Sequence, residues 1–144
     1  MFRFTLVFTA VAALAFFPGC LGGYKPDTGV KVKGMLTKGG KPLTVPNMAA
    51  RVGMIKVDLY PISSDTNDSR SMEGTLANED GTFEIVGAGQ GIKPGKYKLS
   101  ITADHGDGKD QLGGKYSAAN SPIQVEVLEK YQGGTQDIGS LSVE

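Results

Sequence analysis

The chain has 144 residues, with 40% hydrophobic and 21% charged side chains, and its 15 basic residues balance its 15 acidic ones. That mixture excludes a disordered chain, and the absence of a net positive field and of tryptophan argues against a nucleic-acid partner. One cysteine means no intrachain disulfide, so any folded domain stands on its core alone.

The N-terminus reads as an address. Arg3 is followed by residues 5–17, an uncharged and almost wholly apolar run that ends at Pro18-Gly19-Cys20. A short basic start, an apolar centre and a small residue before the cut form a secretory signal. As a helix the run rises only about 20 Å, short of the ~30 Å hydrocarbon thickness, so a transmembrane helix is the weaker reading. Removing residues 1–19 takes away only Arg3 and leaves 14 basic residues against 15 acidic.

Gly19-Cys20 resembles the lipobox of bacterial lipoproteins, where the cysteine sulfur receives a diacylglycerol before cleavage. Phe17 and Pro18 depart from the family's Leu-then-small pattern. The alternative is an ordinary thiol near a cleavage site such as Ala13-Leu14-Ala15. The resemblance implies Cys20 as the lipid attachment residue and a bacterial membrane as the protein's location, facing the periplasm or the exterior. Residues 21–29, LGGYKPDTG, have no periodicity and form a tether reaching at most about 30 Å. The expected organisation is therefore a leader at 1–19, a lipidated Cys20 with its tether at 20–29, and one domain at 30–144.

From Val30 onward, period-two alternation recurs between turn signals. Val30, Val32, Gly34 and Leu36 share one face, and Lys38-Gly39-Gly40-Lys41-Pro42 turns the chain. Ile55, Val57 and Leu59 alternate with Lys56, Asp58 and Tyr60. Residues 71–77 make a weaker strand carrying Met72 and Leu76. Asn78-Glu79-Asp80-Gly81 is a turn, with Phe83 and Ile85 pointing inward after it. Pro94-Gly95 introduces Tyr97, Leu99 and Ile101, and the buried Tyr97 hydroxyl needs a partner. Ile123, Val125 and Val127 alternate next, and Leu141 and Val143 close the chain. This predicts an all-β, seven-stranded antiparallel β-sandwich with Greek-key-like connections. Lysines along residues 30–36 and 95–103 are expected to discourage edge pairing.

Val32-Lys33-Gly34, Gly40-Lys41-Pro42-Leu43, Val57-Asp58-Leu59-Tyr60-Pro61, Glu79-Asp80-Gly81-Thr82-Phe83, Gly91-Ile92-Lys93-Pro94-Gly95-Lys96-Tyr97, Lys115-Tyr116 and Ser121-Pro122 together resemble the carboxypeptidase regulatory-like domain. That family has a transthyretin-like (prealbumin-like) β-sandwich, and the resemblance covers nearly all of residues 30–143. The longer connection at residues 44–54 departs from the family pattern. The resemblance implies a non-catalytic binding or scaffolding module in the cell envelope, whose partner is another envelope protein or a glycan.

No catalytic set is readable. His105 is the only histidine, and it lies in the polar loop Asp104-His105-Gly106-Asp107-Gly108-Lys109-Asp110. Calcium or a small ligand at this 104–110 loop is the alternative function, although the spacing is not that of an EF-hand and zinc lacks ligands. No cofactor is expected. The transthyretin-like fold also includes a 5-hydroxyisourate hydrolase, which relies on histidines, an arginine and a C-terminal Tyr-Arg-Gly-Ser motif. This chain ends Leu141-Ser142-Val143-Glu144, and so does not carry that motif. The loops at residues 44–54, 63–70 and 105–114 are the expected binding surfaces.

Overall fold

Alternating residues become paired strands because each apolar face has a second sheet to pack against. A computed structural model of the chain describes residues 28–63, 70 and 72–144. The leader, Cys20 and all of the tether but Thr28 and Gly29 lie outside the described residues.

Among the described residues there are eight strands: β1 (Lys31–Lys38), β2 (Lys41–Pro42), β3 (Met54–Pro61), β4 (Glu73–Leu76), β5 (Thr82–Ile85), β6 (Gly95–Asp104), β7 (Gln124–Val127) and β8 (Thr135–Ser142). The only described helix is the single 3-10 turn Glu129–Tyr131. One sheet is antiparallel throughout, in the order β4-β3-β6-β7. In the other, β8 lies along one edge of β1 from Lys31 to Thr37, so β5 and β2 share the opposite edge. The architecture is thus an all-β sandwich of two four-stranded sheets.

The two departures from expectation have clear causes. β2 is an eighth strand only two residues long, made by a hairpin in which Gly39 and Gly40 hold φ of 58° and 75°. The pair β1–β8 is parallel, not antiparallel. Hairpin signals report only pairs adjacent in sequence, whereas β1 and β8 are joined through the whole domain. The parallel register shifts between Lys33 and Met35, where Gly139 takes φ 74° and donates its N–H to Asp137 Oδ1 at 2.8 Å.

The core lies between the sheets. Val32, Leu36, Ile55, Val57, Leu59, Ile85, Leu99 and Ile101 are completely buried, in the predicted phase. Each contributes about 1.5–3 kcal/mol by leaving water. Tyr97 is buried too, and its hydroxyl donates to the Lys93 carbonyl at 2.7 Å.

The lysine expectation is corrected. β1 and β6 are interior strands, so their lysines project from sheet faces and guard no edge. The edges are formed by β4, β7, β8 and the short β2/β5 pair; on β8 the bulge at Gly139 interrupts the ladder instead.

Candidate functional site

Strand directions divide the loops between two ends. β1 starts at the end where the chain enters the domain, and the registers place Ile62, Ser63, Arg70 and Met72, with residues 86–94 and 128–134, at that same N-terminal pole. The distal pole collects residues 39–40, 43–53, 77–81, 104–115 and the C-terminus. Two of the three expected surfaces, residues 44–54 and 105–114, therefore meet. Of the third, residues 63–70, only Ser63 and Arg70 are described, and both lie at the other pole.

The 43–53 loop is tied by its own backbone. The Asn47 carbonyl accepts N–H groups from Val52 and Gly53 at 3.2 and 3.3 Å, and Arg51 N–H reaches the Met48 carbonyl at 2.8 Å. Asn47 and Arg51 both adopt positive φ, at 60° and 55°. Gly53 is fitted so closely that a Cβ there would stand 2.0 Å from the Pro46 carbonyl oxygen. The loop then touches its neighbour, for a Cβ on Gly106 would be 2.5 Å from Val52 Cγ1.

In the 104–110 loop the aspartates shape the chain. Asp104 Oδ1 accepts N–H groups from Gly106 (2.7 Å) and Gly108 (3.0 Å), and Asp107 Oδ1 accepts that of Lys109 at 3.1 Å. Asp110 accepts from Ala103 and Leu112 through Oδ1, both at 3.0 Å, and from Gly114 through Oδ2 at 2.8 Å. Burial pushes the Asp110 carboxyl up, but those three amides outweigh it and hold it below the ordinary value. The Gly106 amide, followed by that of Gly108, lowers Asp104 likewise. His105 is exposed on the loop. Among the described residues no three His, Cys, Asp or Glu side chains are grouped so as to hold a metal ion.

Beside these loops is an open groove of about 660 Å³, lined by Met48, Arg51, Met54, Leu76, Asn78 and Glu79 among others. Val52, Met54 and Leu76 are 49%, 39% and 54% exposed, so large apolar side chains face water at this pole. Leu76 sits across from Lys56 on the outer face of the sheet. The groove was not anticipated from the sequence, although the inward phase of Ile55, Val57 and Leu59 already turns Met54 outward. Its floor depends on β4 lying beside β3.

On the same outer face Asp58 is buried although its strand phase points it to solvent. Its Oδ2 pairs with Lys56 Nζ at 3.1 Å, while Oδ1 has no hydrogen-bond partner.

A scan against protein-family models finds no match to this chain, and no curated protein matches its sequence.

Proposed function

We propose that this chain is an exported, lipid-anchored envelope protein whose β-sandwich is a non-catalytic binding module, presenting the distal pole to another envelope protein or a glycan. The observation that carries this reading is an opposition of ends. The chain enters the domain at Gly29 and Val30, held by Gln90 and Ile92 respectively, while the 43–53 and 104–110 loops meet at Val52 and Gly106 on the opposite pole. A domain tethered through Cys20 holds the groove beside Met54 and Leu76 away from its anchor.

The repeated turn-and-strand pieces that resemble the carboxypeptidase regulatory-like domain are in keeping with this role, as is the pattern Gly19-Cys20 for the anchor. An open groove with apolar and charged walls suits a macromolecular surface better than an enclosed small ligand. Asp104 and Asp110 accept backbone N–H groups and so shape the 104–115 loop itself.

Two measurements test the proposal. The intact mass of the protein from its native host's membrane fraction should show a chain beginning at Cys20 with a lipid adduct. A photo-crosslinking residue at Leu76 should then give one discrete adduct in intact cells, whereas the same residue at Val86 should not. Equal labelling from both positions, or none from Leu76, would overturn the distal binding surface while leaving the anchor standing.

A further inference from the structure

The groove at the distal pole carries an arrangement of charge that complements itself. Met48, Met54 and Leu76 line it with apolar surface, and Arg51 and Glu79 are the only charged residues among those that line it. The two come from different segments, Arg51 from the 43–53 loop and Glu79 from the 77–81 turn, and both are exposed. Among the described residues neither has an ion-pair partner; the pairs present are Lys33 with Asp137 and Lys56 with Asp58. The neighbouring Asp80 is turned back into its own loop, where its Oδ1 accepts the Thr82 N–H and hydroxyl at 2.9 and 2.6 Å. The groove therefore offers a partner one cation, one anion and apolar surface.

A surface that meets its own copy across a two-fold axis sets residue i against j and j against i. A patch with a single sign of charge repels its copy in that arrangement. One cation and one anion at separate positions instead find opposite partners twice over. The exposed Val52, Met54 and Leu76 then leave water against one another. Leu76 projects from the outer face of its sheet, across from Lys56, so the groove opens sideways toward a neighbour.

We infer that the groove binds the same groove of a second copy in the same membrane, forming an isologous dimer in which Arg51 of each copy meets Glu79 of the other. This names the partner of the distal surface, and it rests on the lipid-anchor reading. Exposed ion pairs contribute little to affinity and chiefly select partner and register. A small apolar contact is weak between free proteins. Anchoring through Cys20 confines both copies to one membrane and raises their effective concentration, and identical tethers hold both grooves at one height.

Cys20 is the only cysteine, so in the lipidated protein Leu76→Cys introduces the one free thiol. Membranes carrying the full lipidated protein would be oxidised with copper phenanthroline and the products sized without reductant. Leu76→Cys should form a disulfide-linked dimer, because a position beside the two-fold axis meets itself within bonding reach. Val86→Cys, at the other pole, should not. Adding Arg51→Glu or Glu79→Arg should cut the Leu76→Cys dimer about tenfold, since two attractive pairs become repulsive. Both reversals in one chain should bring it back. Equal linkage at the two positions, linkage indifferent to either single reversal, or a double reversal that fails to restore it overturns the self-pairing. So does a Leu76→Cys protein that stays monomeric, which leaves the distal surface to a different partner. The parent protein is the control for the anchor. A disulfide-linked parent shows that Cys20 holds a free thiol, and overturns the anchor and this inference together.

Discussion

The unpaired Oδ1 of Asp58 stands where a side chain on Gly74 would begin: a Cβ built on Gly74 would be 2.0 Å from it. The two residues are direct partners across β3 and β4. Glycine therefore opens the space that lets a carboxylate lie flat on a sheet face, against the Gly74 Cα rather than a conventional donor. Gly74→Ala should destabilise the domain by about 1–3 kcal/mol, the usual cost of overpacking. Adding Asp58→Ala should recover much of that loss. A double-mutant cycle by urea denaturation measures the coupling, and strictly additive single effects would show that the two residues do not share this space.

Gln136 closes one open corner of the sandwich. Its Oε1 accepts the Leu128 N–H at 2.9 Å and its Nε2 donates to the Glu126 carbonyl at 2.8 Å, joining β8 of one sheet to the end of β7 in the other. The side chain acts as a short extra ladder rung and is only 7% exposed. Gln136→Ala should cost about 1–3 kcal/mol by stranding both backbone groups. Gln136→Glu should be as damaging at neutral pH, because a carboxylate cannot donate to Glu126. Thermal melts at pH 7 compare the two.

Asp110 makes the 104–115 loop sensitive to acid. Its folded-state pKa lies below the unfolded value of about 3.9, so the contribution is complete above that value and fades as pH falls through the folded pKa. Asp110→Ala should lower stability by on the order of 1–3 kcal/mol at pH 7. The gap between variant and parent should hold down to about pH 5 and narrow progressively below about pH 4. A gap unchanged at pH 3 would mean that the charge on Asp110 is not what those three amides need.

The Tyr116 hydroxyl helps to fasten the C-terminus, beside Lys115 Nζ on the Glu144 carbonyl at 3.0 Å and the Val143 N–H on the Thr37 carbonyl at 2.7 Å. Tyr116 Oη accepts the Glu144 N–H at 2.9 Å and lies 3.3 Å from the Glu144 carbonyl oxygen, next to the fully buried Val143. Tyr116→Phe keeps the ring in the core and leaves the Glu144 amide without that acceptor. The expected loss is about 0.5–1.5 kcal/mol, with faster amide exchange at Val143 and Glu144. Unchanged exchange at both positions would place the fastening of this tail elsewhere.

The sequence by itself determined what is local. Period-two apolar runs assigned nearly every strand and its inward face, because side chains on a strand alternate whatever the strand pairs with. Asp80 and Gly81 could be read as a turn, and the structure adds the contacts: Asp80 Oδ1 takes the Thr82 N–H at 2.9 Å while Gly81 holds φ 78°. The aspartates of the 104–110 loop were visible as a cluster, but their partners are backbone amides that only a closed loop brings within reach. Tertiary structure alone decided the parallel β1–β8 pair, the interior placement of the lysine-bearing strands and the contact between Val52 and Gly106. It likewise decided the groove beside Met54 and Leu76, and the burial of Asp58 over Gly74. Each of these depends on which strands become neighbours, and that choice is made by packing two whole sheets together, a free energy that no single segment carries.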